Sequence, residues 1–295
     1  MSTNGDYTVR GTARGGFVRG FACTTTEMMN EMQRRHQTWP IASAALGRTV
    51  SAGAMMGMML KNERDAMTIQ VQGDGPLGQI LVDVDGQGHV RGYVENPAVD
   101  LPNNAQGKLN VGDAVGNGLL NVVKDLGLKE PYRGSVRLVS GELGDDFTYY
   151  LTASEQIPSS VGVGVLVAPD ASILHSGGFI IQVLPGADES LIGELEQQIA
   201  HMPPITKLME RGDRPEDMLR RVLGDELEVT ETQPLAFQCH CSLERIYNTL
   251  RSMGKEELNS LIEERGEAEV ICHFCNEAYI VPREELERLR DEARA

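Results

Sequence analysis

Along residues 67–71, 79–84 and 90–94, apolar and polar side chains alternate, and short turns rich in Gly and Asp separate the three runs. That pattern predicts hairpins of an antiparallel sheet with every second side chain facing a core. Further strands are predicted at 135–139, 147–152, 162–167 and 179–184. Two helices precede the sheet. The first opens at Thr24-Thr25-Thr26-Glu27, where Thr24 stands three residues before Glu27 as in a capping box, and carries Met28, Met29 and Met32. The second follows Pro40 and runs through Leu46 to Met58-Met59-Leu60. Met55, Met56, Met58 and Met59 read as core packing, although methionine also suits a surface that accepts varied apolar shapes. Residues 1–185 are therefore expected to form one α+β domain of helices and antiparallel sheet.

From Asp188 the periodicity lengthens. Leu191, Leu195 and Ile199 recur every fourth position, giving a helix with one apolar stripe, and Pro203-Pro204 then breaks the chain. The next helix is well punctuated, with Pro215 in its first turn, Glu216 and Asp217 near its start, Arg220 and Arg221 near its end, and Gly224 after it. Its apolar face is Met218, Leu219, Val222 and Leu223. This charged helical linker, residues 186–231, is too short to own a core and is expected to lie against the N-terminal sheet. Residues 232–295 form the last block. Helices are predicted at 242–253 and 255–264, joined at Gly254, followed by a hairpin over 270–281 and a final amphipathic helix from Pro282 carrying Leu286 and Leu289. A unit of roughly sixty residues sits near the lower limit for a self-sufficient core, so a bound metal is its natural staple.

Composition narrows the function classes. The 295 residues are 41% hydrophobic and 24% charged, which describes a globular chain. A net charge of −16 offers no electrostatic footprint for nucleic acid, because phosphate binding needs clustered Lys and Arg. Residues 1–6 are polar rather than a basic-plus-apolar export signal, and no apolar run approaches the ~20 residues that span a bilayer. The expectation is a cytoplasmic protein that binds neither membrane nor nucleic acid, in a compartment where thiols stay reduced.

There the cysteines carry the chemistry. Cys239-His240-Cys241 and Cys272-His273-Phe274-Cys275 are two close pairs separated by thirty residues, 242–271. They read as one tetrahedral four-thiolate zinc site, closed to substrate, with one ion per reduced chain. His240 and His273 stand beside the expected ligands as less favoured alternatives to a sulfur. Bound thiolates are nucleophilic, and oxidation removes the lone pairs that hold a metal. If each pair closed on itself, the two local bridges would restrain the unfolded chain far less than a metal tying residues thirty apart. Structural zinc contributes about 10–16 kcal/mol of apparent free energy, comparable to the whole stability of a domain, so its loss should unfold this block. A permanently structural module that docks a partner has the same spelling, and from spacing alone the two stay open.

Other motifs carry less. Gly73-Asp74-Gly75-Pro76-Leu77-Gly78 matches the dinucleotide fingerprint but precedes an alternating run, so it reads as a hairpin turn. Cys272 to Cys275 also has thioredoxin spacing, which keeps a thiol–disulfide oxidoreductase as an enzymatic alternative. His36, His89, His175 and His201 are scattered, and no nucleophile elbow or helical zinc-protease motif occurs. Cys23 reads as a lone buried thiol.

The quartet Cys239-x-Cys241 and Cys272-x-x-Cys275 resembles that of the bacterial redox-regulated holdase family, the thirty-three-kilodalton heat-shock chaperones. Arg19-Gly20-Phe21, Gly53-Ala54-Met55-Met56, residues 72–78 and Arg91-Gly92-Tyr93-Val94 share the resemblance, which spans essentially the whole chain. It implies a non-enzymatic, ATP-independent chaperone that is inactive when reduced and zinc-bound. Oxidants with unfolding stress would release zinc, pair Cys239 with Cys241 and Cys272 with Cys275, unfold residues 232–295 and free the linker. The oxidised form would be a homodimer that holds unfolding client proteins against aggregation, with residues 1–185 serving client binding and dimerisation. On this resemblance Cys239, Cys241, Cys272 and Cys275 are both metal ligands and redox switch, and Cys23 has no assigned role.

Overall fold

The structure is a computed structural model that describes residues 5–293; residues 1–4, which belong to the polar first six, and residues 294–295 lie outside it. The chain divides into two compact units, 1–238 and 239–295.

The first unit is organised around α2 (Pro40–Gly57), whose buried residues number sixteen of eighteen. A helix apolar all round must be covered on every side. Small residues make that possible. A Cβ on Gly47 would come within 2.7 Å of Val165, and one on Gly57 within 2.3 Å of Val84, so the sheets close directly on helix backbone. Met55, Met56 and Met58 are buried in the same core, as their pattern predicts.

Two sheets flank the helix. One has the order β10-β1-β2-β9-β8, from β1 (Tyr7–Ala13), β2 (Val18–Thr24), β8 (Ser159–Val167), β9 (Ile173–Val183) and β10 (Glu228–Pro234). The other has the order β11-β5-β4-β3-β6-β7, from β3 (Ala66–Gly73), β4 (Gln79–Asp85), β5 (His89–Val94), β6 (Gly118–Asp125), β7 (Tyr132–Arg137) and β11 (Ala236–Phe237). Neighbours pair antiparallel except β11, which runs parallel to β5. The glycine-rich 73–78 stretch is the β3–β4 turn. Its glycines admit the short helix α3 (Val111–Val115), since a Cβ on Gly75 would lie 2.4 Å from the Ala114 carbonyl oxygen. His89, at the next turn, is hydrogen-bonded to Asp85 at 2.9 Å.

Two local expectations need correction. Residues 147–152 are not a strand but part of α4 (Gly144–Ala153). Phe, Thr and Tyr favour strands, yet the Asp146 carboxylate accepts from the Leu143, Val139 and Ser140 N–H groups and fixes a helix start. Phe147, Tyr150 and Leu151 then fall on one buried face. The capping box at Thr24 is also absent. Thr24 remains in β2, opposite Tyr7, and α1 (Thr26–His36) begins after it. Its cap comes from β1's flank instead. The buried Asp6 carboxylate accepts from Met28 N–H at 2.7 Å and also faces the Glu27 and Thr26 N–H groups.

The stretch after β9 holds α5 (Glu189–Ala200), α6 (Ile205–Glu210) and α7 (Pro215–Leu223). Met218, Leu219, Val222 and Leu223 are buried with Tyr7, Val9, Val18, Ala22 and Ile181 in one cluster, so α7 rests on the face of β1 and β2. Gly20 makes room, because a Cβ there would lie 2.9 Å from Leu219. Beyond α7 the chain adds β10 to the β1 edge, held by backbone pairing while nearly all its side chains stay exposed. The second unit comprises α8 (Leu243–Met253), α9 (Lys255–Glu264), the hairpin β12 (Glu267–Ile271) with β13 (Ala278–Pro282), and α10 (Arg283–Glu292). Its core is a small cluster including Ile246, Leu250, Leu258, Ile262, Val281, Leu286 and Leu289. Among the described residues, no helix is long and apolar enough to cross a membrane.

Asp6→Ala should destabilise the first unit by about 1–2 kcal/mol in urea unfolding, through loss of the α1 cap. Burial raises the Asp6 carboxyl above its ordinary value of 3.8, only partly offset by the α1 N–H groups. The folded state therefore binds this proton more readily than the unfolded state. Relative to Asp6→Asn, the wild type should be most stable below 3.8 and lose that advantage as pH rises through the raised folded value; a flat difference would contradict the assignment. Leu219→Ala should cost about 2–5 kcal/mol locally. Amide exchange in α7 and β10 should accelerate while β3 and β4 keep their protection; uniform acceleration would place Leu219 in the global core instead.

Candidate metal centre

Cys239 and Cys241 precede α8, whose start is fixed by Ser242 accepting from Arg245 N–H at 3.3 Å. Cys272 and Cys275 occupy the β12–β13 turn. Asn276 adopts φ 57° there, a left-handed conformation that Asn tolerates, and reverses the chain. Its N–H donates to the Cys272 carbonyl at 2.8 Å, and Cys272 N–H donates to the Glu277 carbonyl at 2.9 Å. The 272–275 pair thus sits on a strand-to-strand turn rather than on a strand opening a helix, which removes the thioredoxin setting.

These two turns bring the four cysteine sulfurs within 4.8 Å of one another. Cys239 Sγ lies 3.6 Å from Cys272 Sγ, and Cys241 Sγ lies 3.3 Å from Cys275 Sγ. A tetrahedron with metal–sulfur bonds of 2.3 Å has sulfurs about 3.8 Å apart, so the cluster fits a four-thiolate ion without rearrangement of the chain. The converging ligand atoms are all sulfur; neither His240 nor His273 belongs to the set.

Backbone N–H groups at the turns favour thiolate. Cys241 N–H faces Cys239, the Phe274 and Cys275 N–H groups face Cys272, and Glu277 N–H faces Cys275. Burial pushes the Cys239 thiol up, but hydrogen bonds from Cys241, Cys272 and Cys275 outweigh it and bring it down to about 7. Burial raises Cys272 and Cys275, and for Cys275 the neighbouring cysteines raise it further. Four clustered sulfurs cannot all ionise alone, whereas a divalent cation permits all four charges. Tyr279, on β13, donates its hydroxyl to Cys241 Sγ at 3.1 Å. The sequence carried no signal for this contact, because hairpin register and the position of the 239–241 turn together create it.

Cys23 is elsewhere, buried in the first unit with its sulfur 3.6 Å from the Ser51 carbonyl. Burial drives its thiol well above the ordinary range, which keeps it protonated and inert.

The family described as Hsp33 protein matches residues 6–282. The 33 kDa chaperonin of Bacillus subtilis (strain 168) is 55% identical over 288 residues, covering 97% of this chain and 99% of its own. That of Geobacillus kaustophilus is 54% identical over 292 residues, covering 98% and 99%. The crystal structure of the 33 kDa chaperonin (heat shock protein 33 homolog) from Thermotoga maritima superposes with a TM-score of 0.92 at 36% identity, covering 97% of this chain and 98% of its own. These names agree with the expectation of a chaperone rather than an enzyme. With the α+β architecture and the sulfur quartet in place, the chain belongs to the Hsp33 family of chaperones.

Proposed function

We infer that this chain is a redox-regulated, ATP-independent holdase whose switch is the four-sulfur cluster. The observation that carries this reading is the meeting of Cys239, Cys241, Cys272 and Cys275 in a unit with only a small apolar core. Soft thiolates in tetrahedral array select zinc over hard cations, and four protein ligands leave no open position for substrate. In the reduced state one zinc per chain would tie the 239–241 turn to the β12–β13 turn.

Oxidation by a peroxide runs in two steps at each pair. One thiolate attacks the peroxide oxygen, giving sulfenic acid and releasing hydroxide. The neighbouring thiol then displaces water from the sulfenic acid and closes the disulfide, so each pair gives two electrons to one peroxide. The expected bridges are Cys239 with Cys241 and Cys272 with Cys275. The crossed sulfur contacts of 3.6 and 3.3 Å are ordinary edges of a tetrahedron and do not select a pairing. Either way, the disulfides lack the lone-pair charge that holds a metal. Without that tie, helices 243–253 and 255–264 have too little buried surface to stay assembled.

Residues 186–231 would loosen next, since they precede the unfolded block and α7 contributes to its sheet contact mainly four apolar side chains. The exposed faces would hold unfolding proteins, with residues 1–185 supplying client and dimer contacts in a cytoplasmic homodimer. Neither nucleic acid nor membrane enters this scheme.

The test compares reduced and peroxide-treated full-length chain. The reduced form should carry one zinc and leave a chemically unfolded enzyme to aggregate. The oxidised form should have released the zinc, map to the two neighbouring disulfides, suppress light scattering and show faster amide exchange over 188–231. Zinc loss without aggregation suppression would leave a merely structural module, and unchanged protection over 188–231 would remove the linker from the mechanism.

A further inference from the structure

Within the second unit, one contact spans the same two segments that the sulfur cluster joins but does not involve a pair of cysteines. Tyr279 lies on β13, in register with Val270 of β12, and its ring packs against the small apolar core. Hairpin and core together restrict the ring, and its hydroxyl reaches Cys241 Sγ at 3.1 Å. The acceptor belongs to the turn before α8, thirty-eight positions earlier in the chain. The backbone N–H groups that face Cys239, Cys272 and Cys275 come from each cysteine's own turn. At Cys241 a side chain from the opposite segment supplies a donor.

We propose that Tyr279 is a positioning residue of the sulfur site, whose hydroxyl holds Cys241 as a well-seated and weakly nucleophilic ligand and so sets how readily the cluster yields to peroxide. This inference rests on the metal-site reading given above. A hydrogen bond to a thiolate draws electron density from the sulfur. The sulfur's attack on peroxide slows, and the orientation of its remaining lone pairs is fixed. Partners of this kind around metal ligands typically change metal affinity by about 10–100-fold. Because the bond also ties β13 to the 239–241 turn, it retains part of the cluster geometry when a ligand is briefly lost.

The proton stays on oxygen throughout. Tyr279 is neither oxidised nor consumed, and the electrons taken by peroxide still come from sulfur. The hydroxyl's effect is on rate and affinity alone.

The experiment uses the full-length reduced chain, wild type against Tyr279→Phe, with Tyr247→Phe as a control that removes a hydroxyl from the same small core. Each is loaded with Co2+ to read the sulfur-to-metal charge-transfer band, and separately with Zn2+ to follow peroxide-driven release with a chromogenic chelator. Tyr279→Phe should move the charge-transfer band to lower energy, weaken Zn2+ binding by about ten-fold and speed its release, while Tyr247→Phe matches the wild type. Replacing Tyr279 with 3-fluorotyrosine keeps the ring and strengthens the donor, so band and release rate should move the opposite way; this arm decides the matter if the phenylalanine variant does not fold. A loaded Tyr279→Phe chain with wild-type band position and release rate overturns the proposal while leaving the metal reading intact. A wild-type chain that takes up neither Co2+ nor Zn2+ removes the metal reading and this inference with it.

Discussion

Four sulfurs drawn from turns thirty residues apart must share a space less than 5 Å across, and the C-terminal unit is arranged around that requirement. The β12–β13 hairpin reverses at Asn276 so that Cys272 and Cys275 face the same point, and Ser242 ends the opposing turn by starting α8 directly after Cys241. The helices that follow contribute only a modest apolar cluster. A metal held by these sulfurs would carry a structural weight that hydrophobic burial supplies elsewhere in the chain.

The N-terminal unit solves a different problem. Its central helix is enclosed by two sheets, and small residues at Gly47, Gly53 and Gly57 allow strands to approach it closely. Burial here is extensive, and Cys23 is absorbed into it as a protonated, unreactive side chain. The stretch from Glu189 to Pro234 joins this unit by the apolar faces of its short helices and by an edge strand held mainly through backbone pairing, with the Arg10–Glu231 ion pair beside it. A segment attached this way can separate without taking the central core apart. That difference in attachment is what the proposed loosening of the linker would draw on.

The proposed switch would join chemistry and stability at the same atoms. Thiolates strong enough to hold a soft cation are also the nucleophiles that oxidants find first, and the backbone N–H groups around the turns adjust both properties together. Tyr279 adds an adjustment from outside the turns, where a single hydroxyl reaches Cys241.

Spacing alone made the convergence of the four sulfurs legible, because two cysteines a residue or two apart can face one point whatever surrounds them. Punctuation likewise announced α7, with Pro215 at its start and Gly224 after it, and alternation announced the β3–β4–β5 meander. These features are local, so sequence determines them. The α4 segment read as a strand because Phe147, Tyr149 and Tyr150 favour one, and only Asp146 meeting the 139–143 backbone decided for helix. The cap of α1 was also a tertiary choice, since Thr24 was already committed to β2 and Asp6 arrived from across the sheet. The pairing of β10 with β1 and the contact of Tyr279 with Cys241 belong to the same class. Each joins positions far apart in sequence, and no period or spacing encodes which distant edge or sulfur a side chain will meet.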